Sequence, residues 1–479
     1  MNRKVPWLNW IVPLIGLFMV SCASTDPQAA FDEVSETVAQ RTGQRPKWMR
    51  EDGDEQEIEK AVQAFLKNDL TVQSVTAITL LNNRSLQAQW EEIGISQAEL
   101  AQASRAPNIE IAGMWRFPNR PPSALNMEYS AAANFLDLLM LPARTKIAKQ
   151  NLEQTKLQVA HHILQIASEA QTAFYTLQAH LESLKRKEAV IQVNDAAVEV
   201  AQQQYKAGNV PDLELYQQQA AASQAQLDLV QAQTQIRSDR EKLNRIMGLW
   251  GKETDWEIAD SLPTLPKKEF SLKNLEELGL NQRLDLAAAR NQSLAVVKAL
   301  QLKKFSRYFP GATIGVSAER DTDRQTVIGP SLSLELPIFD QGQPALAKLA
   351  AQYRQAQRNF EALAINIRSE VREARDVLVA ARRAVAFYEE TLLPQHQKIL
   401  RETLLQYNAM QKSNYDLLAA KEKEQMAQQG YIDALLSYWM ARVELERVVG
   451  GRLTDDEIVL SKPVPATSHN VAPQNHQHH

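Results

Sequence analysis

The chain has 479 residues, of which 44% are hydrophobic and 23% charged, with only 16 glycines and a formal net charge of −4. This length allows two or more ordinary domains, and the scarcity of glycine favours long helices over a β-rich enzyme. The slight negative charge argues against a nucleic-acid-binding protein, because such proteins usually carry a basic surplus.

The N-terminus has the pattern of an export signal. Arg3 and Lys4 precede an apolar stretch, residues 7–20, that is short for a membrane-spanning helix. Cys22 follows it and is the single cysteine of the chain, so a disulfide within the chain is excluded. Because it follows a small residue, Cys22 resembles the lipidation site of a bacterial lipoprotein, with residues 1–21 as the signal peptide. A plain signal peptide with an incidental cysteine is the alternative.

Residues 22–80 form the next segment. It begins polar and acidic, with the run Glu51-Asp52-Gly53-Asp54-Glu55, and then becomes moderately helical. This composition predicts a surface segment without chemistry of its own.

The rest of the chain contains a tandem duplication. Identical residues recur 202 positions apart and in the same order in both halves, which is too long a period for a small solenoid repeat. The sequence therefore predicts a first repeat over 81–250, a linker over 251–280, a second repeat over 281–450 and a C-terminal segment over 451–479. The recurring pairs include Pro142 and Pro344, Tyr205 and Tyr407, Leu215 and Leu417, and Gly248 and Gly450.

Each repeat opens with a helix and continues with two amphipathic strands, predicted within 107–140 and 310–339. In the second repeat, for example, Leu332 and Leu334 flank Ser333. Such alternation is typical of a sheet with one apolar and one polar face, in a membrane barrel or in a soluble sandwich. Four strands per chain are too few to close a membrane barrel, so either they pack on a soluble core or several chains share them.

Long helical hairpins are predicted after the strands, over 143–248 and 345–450. The stretch 143–207 contains neither glycine nor proline, and as a helix it would be roughly 95 Å long. Its counterpart is interrupted by Pro394. The fold class is therefore mainly α-helical with four strands per chain. No nucleophile motif, phosphate loop or metal-spaced cluster indicates an enzyme.

Several short motifs follow one another along the second repeat. They are Leu336-Pro337-Ile338-Phe339-Asp340-Gln341-Gly342, Ser369-Glu370-Val371-Arg372-Glu373-Ala374, and Leu393-Pro394-Gln395 leading to Tyr407. Tyr205-Lys206-Ala207-Gly208 is the counterpart of the last one in the first repeat. In these motifs, and in their duplication behind a lipoprotein-like signal, the chain resembles the TolC-like outer-membrane efflux factors.

The resemblance implies a homotrimer in which each chain gives four strands to a shared β-barrel in the bacterial outer membrane. The helices would continue as an α-barrel in the periplasm, and residues of about 31–80, 252–280 and 451–460 would form a belt around it. It implies a passive exit duct with no cofactor besides the lipid on Cys22. A periplasmic adaptor and an inner-membrane pump, RND-type, would open it, and no nucleic acid is involved. A multidrug or type I secretion duct and a structural coiled-coil lipoprotein are the alternatives.

The resemblance also assigns site residues at the periplasmic tips of the hairpins. Asp416 falls at the position of the family's constriction aspartate, and Glu214 is the first-repeat equivalent. A ring of three such carboxylates would narrow the pore and bind cations. Ala419 stands where some relatives carry a second aspartate, which argues against a two-tier acidic gate. The remaining tip residues are Tyr205, Tyr407 and Lys412, which would hold the closed state, and Gly208, Asn209, Met410 and Gln411, which would contact the adaptor.

The C-terminal tail contains four histidines, His469, His476, His478 and His479. A polar tail of this kind can chelate copper, zinc or nickel. Metal binding there would favour a heavy-metal efflux system over a multidrug system. An ordinary solvent-exposed tail is the alternative.

Overall fold

The structure is a computed structural model that describes residues 24–122, 124–268, 271–308 and 311–453. Cys22, the predicted signal peptide and the four tail histidines lie outside the described residues. The chain divides into two compact units. The first unit comprises the residues up to Thr37, Arg84–His162 and Leu284–Ala364, and the second comprises Val38–Asn83, Ile163–Arg283 and the residues from Ile365 onward.

Helices make up most of the described chain, and four strands interrupt them in two pairs. In chain order the elements are α1 (Gln28–Thr42), α2 (Asp52–Leu66), α3 (Val72–Asn82), α4 (Arg84–Ala103), β1 (Glu110–Arg116), β2 (Asn126–Asn134), α5 (Phe135–Lys206), α6 (Asp212–Met247), α7 (Leu275–Gln282), α8 (Leu284–Ser306), β3 (Gly311–Arg320), β4 (Thr326–Glu335), α9 (Gln343–Phe387), α10 (Leu393–Asn408) and α11 (Asn414–Val449). The mainly helical fold class with four strands is confirmed.

The four strands of the first unit form one antiparallel sheet in the order β1-β2-β3-β4. Its register places Leu332 opposite Ile314 and Ile314 opposite Ala133, whereas Ser333 lies opposite Thr313. Since side chains alternate between the two faces of a sheet, the apolar residues of neighbouring strands collect on one face and the polar residues on the other. The predicted phase of the alternation is therefore confirmed.

The first strand pair ends earlier than the predicted range 107–140, and the following helix begins at Phe135 rather than at 143. Asn134 causes this early start, because its side-chain Oδ1 accepts a hydrogen bond from the backbone N–H of Asp137 (3.1 Å) and so caps the helix. Pro142 consequently lies inside α5. The sequence predicts a helix from residue 143, but the Asn134 cap starts it eight residues earlier, at Phe135.

Pro394 interrupts the second long helix, as predicted, and the structure shows how. A wider π turn, Tyr388–Leu392, separates α9 from α10 just before the proline. Proline lacks an N–H and crowds the carbonyl four residues earlier, and a π turn relieves this conflict. The Tyr388 hydroxyl lies where a side chain at Gly430 would be, 2.4 Å from the position of its Cβ. Glycine at 430 therefore makes room for the widened turn.

The prediction that residues 22–80 form a surface segment is wrong for α3. In this helix Val75, Ile78 and Leu80 are fully buried in the second unit. The helix begins with a capping box, in which the Thr71 hydroxyl accepts the N–H of Ser74 (3.1 Å). The helix has no continuous polar face, because other parts of the unit pack against it on most sides.

The duplication is visible in the ends of α6 and α11. Both helices end on a glycine with positive φ, Gly248 at +71° and Gly450 at +98°. In both helices, the backbone N–H after the glycine donates a hydrogen bond to a carbonyl five residues earlier. These bonds run from Leu249 to Asn244 and from Gly451 to Glu446, at 2.9 Å each. This is the Schellman motif, and the glycines satisfy its left-handed position.

Side chains from elsewhere in the second unit then satisfy the remaining carbonyls of these helix ends. The Asn82 amide donates to the carbonyls of Met247 (3.1 Å) and Gly248 (2.9 Å). At the second end, Arg41 Nη1 donates to the Gly450 carbonyl at 2.5 Å. The two halves therefore use the same turn but different caps.

Candidate functional site at the helical tips

Both hairpins of the second unit reverse direction through the same turn. Gly208 (φ +74°) and Met410 (φ +60°) occupy its left-handed position. Their N–H groups donate to the carbonyls of Tyr205 and Tyr407, respectively, at 2.9 Å. The next residues, Asn209 and Gln411, donate to the carbonyls of Gln204 and Gln406 at 2.9 Å. The predicted tip residues thus lie in two copies of one Schellman turn.

Met410 is the unusual residue of this pair. An L-residue in the left-handed region is strained by about 1–2 kcal/mol, whereas the glycine of the first tip is not. Its side chain is 95% exposed, so packing within the described chain does not repay that strain. The second tip therefore presents an apolar side chain to solvent on a strained backbone.

Asp416 lies in the first turn of α11 and closes a capping box with Ser413. Its Oδ2 accepts hydrogen bonds from the Ser413 N–H (2.9 Å) and the Ser413 hydroxyl (2.8 Å), while the Ser413 hydroxyl accepts the Asp416 N–H (3.2 Å). The Lys412 ammonium lies 3.8 Å from the other carboxylate oxygen. The structure thus brings the predicted Lys412 and Asp416 together, and it gives Asp416 a second task in starting the helix.

The hydrogen bonds from Ser413 hold the pKa of Asp416 below its usual value. A depressed carboxylate pKa adds stability above the ordinary value of about 4, and this stability is lost as the pH falls through the lowered pKa. Asp416 is consequently ionised throughout the neutral and mildly acidic range. A negative charge at the tip is therefore present at physiological pH.

Glu214 lies in the first turn of α6, and it faces a residue that the sequence reasoning missed. Burial, together with the negative charge of Glu214, raises the pKa of Tyr415. This places Tyr415, from the second hairpin, beside the predicted acid of the first hairpin. Its position next to Asp416 was the available signal, but only the packing of α11 against α6 shows which neighbour it meets.

Tyr205 has a different neighbour. Its phenol forms a hydrogen bond with the Asp212 carboxylate, which raises the pKa of the phenol. Asp212 begins α6, so this contact ties the two sides of the first tip together. Tyr407 contributes its backbone carbonyl to the second tip and its ring is 38% exposed. The two tyrosines, equivalent in sequence, therefore have different surroundings.

Two kinds of feature are absent from the residues that the structure describes. No helix there combines the length and the apolarity that a membrane span requires. In the same residues, no group of three or more His, Cys, Asp and Glu side chains is arranged to hold a metal ion.

Known proteins with similar sequences or folds are outer membrane proteins and metal-resistance proteins. The sequence profile of the family described as "Outer membrane efflux protein" matches residues 76–249, which include the first strand pair and the first hairpin. This match covers the first of the two repeats, and it is a likeness to the outer membrane efflux protein family. The cobalt-zinc-cadmium resistance protein CzcC of Cupriavidus metallidurans is 23% identical over 393 residues, covering 80% of this chain and 90% of that protein.

Solved structures of efflux channels have the same fold. A structure of CusC, described in connection with folding and transmembrane channel formation, aligns with a TM-score of 0.68 at 17% identity, covering 80% of this chain and 93% of the other. The CmeC outer membrane channel of Campylobacter jejuni aligns with a TM-score of 0.68 at 15% identity, covering 81% and 87%. The chain therefore has the fold of these channels, which is TolC-like, with long helices and four antiparallel strands.

Proposed function

We propose that this protein is an outer membrane efflux protein of bacteria, that it is the passive exit duct of a tripartite efflux system, and that its cargo is cationic, heavy-metal cations foremost. It would act as a homotrimer, in contact with a periplasmic adaptor and an inner-membrane pump of the RND type. The lipid on Cys22 would tether it to the membrane. Residues of about 31–80, 252–280 and 451–460, which lie before, between and after the two repeats, would form the belt, and the residues after them the tail.

The charge of the polar face of the sheet carries the proposal of a cationic cargo. Glu110, Glu128, Glu319 and Glu335 lie on this face, and Arg116 is the only basic side chain there among the described strands. Arg116 pairs with Glu128 (3.0 Å) and lies 3.9 Å from Glu319, which leaves an acidic surplus. When this face lines water, its field concentrates cations and repels anions.

The other face of the sheet supports assembly from several chains. Ile314, Val316, Leu332 and Leu334 lie on it and are each about half to two-thirds exposed in the single chain. An apolar surface of this kind requires lipid or protein against it. Four strands cannot close a membrane barrel alone, and three chains would provide twelve.

The likeness to a cobalt-zinc-cadmium resistance protein favours metal cations over drugs as the cargo. A cationic cargo also fits the negative charge on the polar face of the sheet. The histidines of the tail would add a chelating segment if they bind metal. A multidrug or secretion duct remains the competing function, since the specificity of such systems can lie in the pump.

At the tips, we propose that Asp416 and Glu214 form the acidic aperture and that Lys412 and the two tyrosines hold it closed. The exposed Met410, with Gly208, Asn209 and Gln411 beside it, would contact the adaptor. The strain at Met410 supports this role, because a glycine there would fit the turn better and yet offer no side chain to a partner.

Removing the charge of the aperture is expected to open the resting channel. Asp416→Ala combined with Glu214→Ala should raise the resting conductance in planar bilayers several-fold. Because Asp416 also caps α11, Ser413→Ala serves as the control that loosens the cap and retains the charge. An unchanged resting conductance in the double variant, or an equal increase in Ser413→Ala, would remove the acidic gate from the proposal.

Neutralising the sheet is expected to reduce the preference for cations. Glu128→Gln with Glu319→Gln should shift the reversal potential under a KCl gradient towards zero, because Glu110, Glu335 and Arg116 then remain and the acidic surplus of this face is smaller. Glu361→Gln, on an exposed turn of α9 outside the sheet, is the matched control and should leave the potential unchanged. A reversal potential that is unchanged in the double variant would show that the lining does not set the preference.

A deletion strain tests the cargo itself. We expect it to lose growth on cobalt, zinc, copper or silver while keeping its growth on dyes, detergents and antibiotics. The wild-type gene should restore growth, and a version truncated before His469 shows whether the tail takes part. Sensitivity to drugs without sensitivity to metals would assign the channel to a multidrug system.

A further inference from the structure

The second unit contains a cavity of about 520 Å³ that is built from residues other than those of the tips. Its wall includes the end of α1, the start of α3, part of α5, the segment 259–266 and the C-terminal part of α11. Small-molecule sites commonly have volumes of about 300–1,000 Å³, so the cavity is large enough for one ligand. We refer to it as the Arg41 cavity.

One wall of the Arg41 cavity is aromatic. Tyr175 and Trp439 stack with their ring centroids 5.1 Å apart and their planes 21° from parallel. The Trp439 indole N–H donates to the carbonyl of Pro263 (2.8 Å), which fixes the ring against the segment 259–266. Burial raises the pKa of Tyr175 to about 12, so its phenol is neutral at physiological pH. This wall offers a flat surface for an apolar body.

The same cavity is lined with positive charge. Arg41, Arg442, Arg447 and Arg452 contribute to the lining, in which Glu446 is the single acid. Arg447 pairs with Glu444 (2.5 Å) and Arg442 lies 3.9 Å from Glu446, so Arg41 and Arg452 provide the positive surplus. This excess is opposite in sign to the net charge of the whole chain, −4. A local positive surplus in an acidic protein attracts anions to that part of its surface.

Arg41 is the most constrained of these arginines. Its Nη1 donates to the backbone carbonyls of Gln282 and Gly450, both at 2.5 Å, and no carboxylate lies among its contacts in the described residues. Burial lowers the pKa of Arg41 to about 10, so the guanidinium is still charged at neutral pH. A buried charge without a counter-charge is unfavourable, and an anion in the cavity would compensate it.

A second polar group in the wall also lacks a partner. Gln178 is 4% exposed, and its Nε2 donates to the carbonyl of Ala259 (3.1 Å). Its Oε1 is buried and has no hydrogen-bond partner among the described residues. A buried acceptor without a donor loses its hydration and gains nothing in return. A ligand with an N–H or O–H group would satisfy it.

We propose that the Arg41 cavity binds a small organic anion with a flat apolar body. The carboxylate, sulfonate or phosphate group would face the arginines, the body would lie on Tyr175 and Trp439, and an N–H or O–H group, where present, would donate to Gln178 Oε1. Because the ligand would contact α5, α11 and the segment 259–266 together, its binding would fasten the linker between the repeats to the helices. This inference does not depend on the cargo proposed above.

Calorimetric titration of the full-length protein in amphipol with naphthalene-2-sulfonate tests this site. Naphthalene-2-methanol has the same ring and no charge, and it is the matched probe for the anionic requirement. We expect saturable heat with the sulfonate and binding weaker by about tenfold or more with the alcohol, because the charge-assisted contacts are then lost.

Two variants locate the binding within the cavity. Arg452→Gln removes one charge of the lining, and Gln178→Glu places a negative charge beside the anion. Each should weaken sulfonate binding by about tenfold or more, whereas Arg401→Gln, on α10 and outside the lining, should leave it within about twofold. Thermal unfolding confirms that each variant is folded, and either variant alone suffices for the comparison.

Three results would overturn the proposal. One is the absence of saturable heat with the sulfonate, and another is equal affinity for the sulfonate and the alcohol. The third is binding that occurs only after removal of residues 454–479. The acidic run Asp455-Asp456-Glu457 follows the wall residue Arg452 closely in sequence, and binding of that kind would mean that the chain's own C-terminal segment is the anion.

Discussion

Arginine at Leu332 and Leu334 is expected to keep the protein out of the outer membrane. Both leucines lie on the apolar face of β4, where they are 64% and 51% exposed in the single chain. An arginine on the lipid face of a membrane strand is unfavourable by about 2–4 kcal/mol near the bilayer centre. The double variant L332R/L334R should therefore lose most of the outer-membrane fraction and of the heat-sensitive trimer band on gels.

Ser333→Arg is the matched control for this experiment. Ser333 lies between the two leucines but points to the opposite, polar face, across from Thr313. The same side chain introduced there should remain in water, and membrane assembly should be close to wild type. If Ser333→Arg fails to assemble as well, or if the leucine variant assembles normally, the lipid-facing role of this face is wrong.

Alanine at Gly248 is expected to destabilise the second unit strongly. Gly248 ends α6 at φ +71°, and an added Cβ would lie 2.5 Å from the Asn82 carbonyl oxygen. The left-handed strain contributes about 1 kcal/mol, and the clash would displace the Asn82 cap from the carbonyls it satisfies. We expect a loss of about 3 kcal/mol in the free energy of unfolding, measured by denaturant titration of the second unit's transition.

Gly208→Ala separates the strain from the clash. Gly208 has nearly the same φ, +74°, but nothing lies within 4 Å of its added Cβ. It should lower the free energy of unfolding by only about 1 kcal/mol. Equal losses in the two variants would mean that backbone strain alone matters and that the contact between α3 and the end of α6 contributes little.

The positions of the site residues show where the sequence reasoning stopped. The duplication placed the tips correctly, since Tyr205 and Tyr407, like Gly208 and Met410, lie at the same places in the two turns. The duplication gives no indication of Tyr415, because this residue lies beside Glu214 only through packing between two hairpins that are far apart in sequence. The Ser413–Asp416 cap could have been found, since serine followed three residues later by an acid is a helix-start pattern.

The sequence by itself determined the duplication, the four strands with their apolar and polar faces, and the long helices. These properties are local: alternation with period two and helix-forming composition act along the chain, and the tip turns form from neighbouring residues. The resemblance to a known family rests on the same ordered motifs, which recur in both halves of the chain.

The tertiary structure alone decided which residues share a surface. Its contacts join segments that are up to about four hundred residues apart in sequence. Examples are the burial of α3, the Asn82 cap on α6, and the cavity lined by Arg41, Gln178 and Trp439. No periodicity encodes such contacts, because they depend on how whole helices pack against one another. Packing also left the Arg41 charge and the Gln178 carbonyl buried without a counter-charge or a donor, and these two groups are the basis for the proposed anion site.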